Sequence, residues 1–225
     1  MSRKSFNISG KIDKYTLEII SSIDKVTNSL SFPFFIIGAT ARDIILEHIY
    51  NRPVYRATND IDLGIRINNW TEFEKLSTAL IEDNRFNWDE RIEHRFYFEK
   101  IYPIDIVPFG DIISSAGTFE WPKEKKTFTI IGFEEAYENS DLVILREKPL
   151  LKVNFATAES LTLLKIISWD EKYPSRSRDA IDIALILETY LEAGNMERLS
   201  EGDSDLVNDE FDFNFVGAVC SDEIL

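Results

Sequence analysis

The chain has 225 residues, 44% of them hydrophobic and 12% aromatic, with a formal net charge of −15. That is enough apolar material to fill one large domain or two small ones, and too acidic overall for a general nucleic-acid binder. A single cysteine, Cys220, excludes an internal disulfide framework and a cysteine zinc cluster.

Residues 10–30 are predicted to form an amphipathic helix, with Ile12, Ile19, Ile23, Val26 and Leu30 at helical spacing. The N-terminus therefore leads into a polar helix rather than an apolar signal core, which together with the lone cysteine suits the cytosol. Residues 34–37 read as a short buried strand, Gly38-Ala39-Thr40 as a tight turn, and 41–49 as a helix. The longest apolar run, 34–39, is broken by Gly38 and is far too short to cross a membrane. A loop holding Pro53 leads to a second strand at 60–67, and Asn69 or Thr71 caps a helix to about residue 83. Strands are expected at 95–99, 104–107, 127–131, 142–145 and 153–155, with a short helix at 133–137. From Thr157 the pattern turns helical, with Leu161, Leu164, Ile167 and Ser168 on one face. A polar break at 170–177 with Pro174 precedes a second helix from Arg178 to about 191. The tail from Gly194 is acidic. From Glu192 onward ten acids face one base, leaving a net −6 for the rest of the chain. Phe211, Phe213, Phe215 and Val219 give that tail some apolar character.

The chemistry concentrates in a carboxylate trio. Thr-Asn-Asp-Ile-Asp-Leu-Gly carries Asp60 and Asp62, and Ile-Asp-Ile-Val-Pro-Phe carries Asp105. Side chains at i and i+2 of a strand share a face, so Asp60 and Asp62 project together. Alone, an Asp-x-Asp pair is most simply the exposed face of an edge strand. Asp105, a lone acid on a separate apolar strand, tips the balance, because three neighbouring carboxylates repel unless they share a hard cation such as Mg²⁺.

Upstream, the Gly38 turn joins a strand to a helix start, where free N–H groups suit a phosphate; an ordinary strand–turn–helix corner would look the same. Arg42 is placed either to bind phosphate or to lock the turn by pairing with a sheet carboxylate, and Asp43 reads as structural. Lys165 interrupts the stripe Leu163-Leu164-Lys165-Ile166-Ile167, either snorkelling to solvent or reaching a triphosphate. Just downstream, Asp179 and Asp182 share a helix face near Arg178. Lys165, Lys172, Arg176 and Arg178 form a candidate basic groove. His48 and His94 show no metal-ligand pairing, and His94 reads as a strand surface residue. Residues 123–126 read as a solvated hairpin.

Gly-Ala-Thr, then Asp-Ile-Asp, then a third Asp on a later strand resembles the nucleotidyltransferase superfamily with the polymerase-β-like fold. Ala39 stands where that superfamily usually has Ser or Gly. More narrowly, residues 38–45, 58–64, 163–170 and 178–182, together with Gly132-Phe133-Glu134-Glu135-Ala136, resemble the AbiEii/AbiGii-type nucleotidyltransferase toxins. The likeness spans roughly residues 30–192.

The resemblance implies an α/β (α+β) fold, with a mixed, mostly antiparallel sheet flanked by helices and a small helical domain after it. Its expected divisions are a catalytic domain at 1–155, a helical segment at 156–193 that completes a cleft, and the acidic tail at 194–225. It implies transfer of a nucleotide from an NTP to an acceptor with Mg²⁺ or Mn²⁺. Asp60, Asp62 and Asp105 would be the metal ligands and Lys165 a fourth catalytic group. Gly38, Ala39, Thr40, Arg42, Lys165, Arg178, Asp179 and Asp182 would build the nucleotide site. A toxin–antitoxin or phage-defence role, a tRNA or other RNA acceptor, a cognate antitoxin and a cytoplasmic location follow by the same implication. Rival readings are the same chemistry on a small molecule or protein side chain, and a silent nucleotide- or partner-binding module of the same fold.

Overall fold

A computed structural model of the chain describes residues 3–54, 58, 60–114, 117–197 and 199. Expectations for the tail beyond residue 200, Cys220 included, lie outside the described residues. Ten strands and six α-helices are present among them: β1 (Ser5–Asn7), α1 (Lys14–Leu30), β2 (Phe34–Ile37), α2 (Gly38–Asp43), β3 (Ile61–Arg66), α3 (Trp70–Glu82), β4 (Phe86–Trp88), β5 (Arg95–Phe98), β6 (Tyr102–Phe109), β7 (Thr118–Glu120), β8 (Thr127–Thr129), α4 (Phe133–Glu138), β9 (Asp141–Arg146), β10 (Leu151–Phe155), α5 (Ala158–Lys172) and α6 (Ser177–Thr189). α2 runs on as a π-type segment, Ile44–Ile49, and α6 is followed by a second one, Leu191–Asn195.

Eight strands form one mixed sheet in the order β1-β9-β10-β2-β3-β6-β5-β4, and β7 and β8 form a separate hairpin. β1/β9, β10/β2 and β3/β6 pair in parallel and the other neighbours antiparallel, giving three parallel pairings to four antiparallel. The sheet is thus mixed, with the antiparallel majority a narrow one.

Local sequence explains the elements that matter. β2 is Phe-Phe-Ile-Ile, buried at all four residues, as suits a strand enclosed on both faces. Its neighbour β3 alternates. Ile61, Leu63 and Ile65 are buried on one face, while Asp62 and Gly64 turn to the other. Gly64 lies opposite Phe35, and a Cβ there would sit 2.4 Å from the Phe35 ring. The missing side chain is what lets Phe35 lie across β3 and meet Phe109, Phe133 and Tyr137, with ring centroids 5.5–6.3 Å apart. α1 starts at Lys14, because Asp13 caps it by accepting from the backbone N–H groups of Tyr15 and Thr16 at 2.9 and 3.0 Å. Asn69 caps α3 in the same way, accepting from the Glu72 N–H.

The buried cluster that fills the sheet core runs on without a break into Ala158 and Leu161 of α5 and Ile186 of α6. α5 packs against α6, α4 and α2. The same buried cluster extends through Phe73, Phe119 and Trp121, with Trp70 and Phe128 packed on it, and so ties the β7–β8 hairpin to α3. His94 is half-buried against Trp121 and Phe128 rather than lying on the strand surface, and burial pushes its pKa down. Among the described residues, no helix is long and apolar enough to cross a membrane.

Candidate active site at the Gly38 turn

Four residues from four neighbouring strands stand side by side across the sheet. Ile37 of β2 pairs with Asp62 of β3, Asp62 with Asp105 of β6, and Asp105 with Arg95 of β5. Strands lie about 4.8 Å apart, so the row is two carboxylates followed by a guanidinium at one level of the sheet.

Gly38 follows Ile37 directly and has φ +66. A Cβ on it would fall 2.1 Å from the Asp62 Oδ2, so only glycine leaves room for the carboxylate to press against this turn. Helical hydrogen bonding begins at Gly38 itself rather than at Ala41. Ala39 is half-buried beside it. The Thr40 hydroxyl donates to the Asp60 backbone carbonyl at 2.8 Å, tying the helix start to the mouth of β3.

The acids differ in their surroundings. The Asp62 carboxyl is recessed, and its pKa is pushed up to about 7 by burial first and then by the charges of Asp105 and Asp60; Lys165 and Arg176 oppose the rise. Asp60 lies just before β3 and accepts from the Thr58 hydroxyl. Asp105 is gripped by Arg95, whose Nε and a terminal nitrogen reach its two oxygens at 2.7 and 2.6 Å. That fork raises the pKa of Arg95. The three acids therefore share a field without closing on one point: among the described residues, no group of three or more His, Cys, Asp or Glu side chains is gathered to hold a metal ion. The donor chemistry fits a hard divalent cation at Asp60 and Asp62, which would relieve the repulsion that lifts Asp62.

The helical pair supplies the cations. Lys165 of α5 does not snorkel; its Nζ is 2.6 Å from Asp182 Oδ2 and 3.4 Å from Asp179 Oδ1 on α6, with 11% of its side chain exposed. Arg176 pairs with Asp179 at 2.8 Å and touches the Ser168 hydroxyl. Arg42 departs from both sequence expectations. It is 1% exposed, donates to Asp43 at 2.7 Å and to Asp182, and so pairs with a helix carboxylate from 140 residues away rather than with a sheet acid or a phosphate. Its long side chain, rooted in the buried face of α2, points into the α5–α6 contact. Burial raises the pKa of Asp43 against the pull of Arg42. Arg178 is exposed at the start of α6, and Arg176 is the arginine that joins the acidic pair.

Of the residues singled out from sequence, the fold gathers Gly38, Ala39, Thr40, Asp60, Asp62 and Asp105 at one sheet end. Lys165, Asp179 and Asp182 face them from the helices. Arg95 was not foreseen. A strand ending near Phe98 and turning back through Tyr102 and Pro103 puts Arg95 opposite Asp105, and that antiparallel count was the signal available.

The family described as "Nucleotidyl transferase AbiEii toxin, Type IV TA system" matches residues 33–213, most of the chain. The chain belongs to this family. It is an AbiEii-type nucleotidyltransferase, an enzyme that moves a nucleotidyl group. No curated protein matches it. Solved structures resemble it at low identity. The antibiotic-resistance factor ANT(2'')-Ia is 16% identical over 95% of this chain and 94% of its own, with a TM-score of 0.47. A nucleotidyltransferase-like antigen of Paracoccidioides brasiliensis is 16% identical over 84% and 88%, with a TM-score of 0.49. The CCA-adding enzyme of Thermotoga maritima, solved with tRNA, is 12% identical over 88% of this chain but 53% of its own, with a TM-score of 0.34.

Proposed function

We propose that this AbiEii-type enzyme transfers a nucleotide from an NTP, with Mg²⁺ or Mn²⁺, to an RNA acceptor of the tRNA class. It would act in the cytoplasm as the toxin of a type IV toxin–antitoxin pair whose antitoxin is a separate protein. The observation that carries the nucleotide reading is the contact of Asp62 with the Gly38 turn, faced by Lys165 and Arg176. A recessed carboxylate, an open backbone turn and two cations together suit a triphosphate and its counter-ion. A lone acid on a sheet edge would need none of them.

In this reading residues 1–155 form the catalytic part and 156–193 the helical segment opposite it. Gly38, Ala39 and Thr40 position the β- and γ-phosphates. Lys165 and Arg176 neutralise charge there, with Asp179 and Asp182 fixing where Lys165 points. Arg178, exposed close by, is available to nucleotide or acceptor. Asp60 and Asp62 hold the divalent cation, which supplies charge neutralisation at the triphosphate. Asp105 borders the side from which the acceptor arrives. The acceptor oxygen forms a bond to the α-phosphorus as the bond to the β-phosphate oxygen breaks. Pyrophosphate leaves with that electron pair, and the acceptor's proton passes to solvent or a nearby carboxylate.

The test is incubation with each α-³²P-labelled NTP and either total RNA or RNA-free lysate protein. Label in the tRNA band, lost with Asp62→Asn, is the expected result. Label confined to protein or to small molecules would overturn the acceptor class. No label anywhere, with Mg²⁺ and Mn²⁺ both tried, would overturn the reading of the site.

A further inference from the structure

The third acid of the row has a partner of its own, and that changes how many cations the site can carry. Asp105 offers both oxygens to Arg95 at 2.7 and 2.6 Å. The pair is only slightly exposed, 14% for the Asp105 side chain and 28% for that of Arg95. The two residues stand directly opposite each other on antiparallel strands, so the fork is set by register and not by a wandering side chain. Phe96, Ile104 and Ile106, next to the fork along β5 and β6, turn to the opposite, buried face of the sheet and anchor both strands there. A divalent ion bound to Asp105 would lie within about 5 Å of a fixed guanidinium, and two cations that close repel strongly in a recessed site. Among the described residues, no arginine forks onto Asp60 or Asp62. The Thr58 hydroxyl bonds Asp60, and the Gly38 turn meets Asp62.

Resting on the nucleotide reading above, we infer that the site takes one divalent cation, at Asp60 and Asp62. Arg95 stands where a second would sit, as a positioning residue that holds Asp105 and balances its charge. The acceptor side of the site is then governed by a fixed organic cation. Its charge does not depend on the metal supply, and it presents N–H donors to an incoming anionic or hydroxyl-bearing group.

The inference is tested by counting bound Mn²⁺. The full-length chain is saturated with each of the four α,β-methylene NTP analogues in turn, and free Mn²⁺ is read by electron paramagnetic resonance. One ion per chain is expected for the wild type and for Arg95→Lys, which keeps the charge. Arg95→Met is expected to take up two, because Asp105 is released and the competing cation is gone. Asp105→Asn should still bind one ion with affinity within threefold of wild type. Two ions in the wild type, or a tenfold loss of affinity in Asp105→Asn, would overturn the inference while leaving the nucleotide site intact. No analogue-dependent ion at all would overturn both. Circular dichroism of each variant checks folding. Should Arg95→Met unfold, the counts for wild type and Asp105→Asn decide the matter alone.

Discussion

Asp62 is the residue on which the site's charge turns. The folded protein holds its proton up to about pH 7, whereas the unfolded chain releases it near the ordinary 3.8. The unfolded state therefore binds fewer protons between those values, and this residue's contribution to stability is lost as the pH rises through that window. Metal-free protein should melt at progressively lower temperature from about pH 4 to pH 7, and Asp62→Asn should remove that part of the slope; thermal melts in EDTA across the range check it. Cation affinity should rise over the same window, since proton and metal compete for one carboxylate. Lys165 invites a second prediction. Lys165→Ala should weaken NTP binding by about 1.5–3 kcal/mol, the worth of charged hydrogen bonds. Lys165→Met keeps the apolar stem and should lose nearly as much; titration with a fluorescent NTP would show it, and full binding by the Met variant would remove Lys165 from the site. Sequence made this residue visible because a charge in an apolar stripe is conspicuous. It could not show Arg42 buried, since Arg-Asp at a helix start looks alike whether it faces solvent or another helix.

Among the elements, those that build the site were the most legible. β2, β3, α3 with its Asn69 cap, α4, β9, β10, α5 and α6 all fall where periodicity and capping place them, give or take a few residues. The misses share a cause. β1, β4 and β7 have three residues each, too few to show alternation, and they form because another strand offers hydrogen bonds: the next one along the chain for β4 and β7, a distant one for β1. β1 pairs with β9, more than 130 residues along the chain, which no local pattern reports. β8 was expected as part of a longer strand at 127–131 and instead stops at Thr129 in its own hairpin. The α2 segment carries the sharpest element-level prediction. Gly38→Ala puts a methyl 2.1 Å from Asp62 Oδ2 at a backbone angle that disfavours side chains, so either the turn or the carboxylate must shift. NTP affinity should fall at least tenfold, while circular dichroism stays close to wild type. Native affinity in that variant would mean that the turn and Asp62 do not act together.

At the scale of the whole molecule, charge and connectivity dominate. A net charge of −15 repels a triphosphate at a distance, whereas on the proposed reading Lys165 and Arg176 would attract it only within the recess. Salt should therefore speed NTP association between 20 and about 150 mM, where the screening length drops below roughly 10 Å; stopped-flow rates would test this, and a steep fall with salt would mean that local cations steer the encounter. Removing the tie between the two halves should cost more than any surface change. Arg42→Met removes the buried guanidinium that Asp182 and Asp43 share, leaving Lys165 on Asp182, and should destabilise the protein by about 3–5 kcal/mol, read from urea unfolding. The same tie sets an order of events during synthesis. Arg42 leaves the ribosome early, and its partner Asp182 follows 140 residues later. Until α6 emerges, Arg42 lacks Asp182, and Lys165 lacks both acids that aim it. A chain that stops before α6 cannot assemble the cationic wall opposite β2 and β3. On the proposed reading of the site, the nucleotide recess would therefore be complete only after α6 has been made.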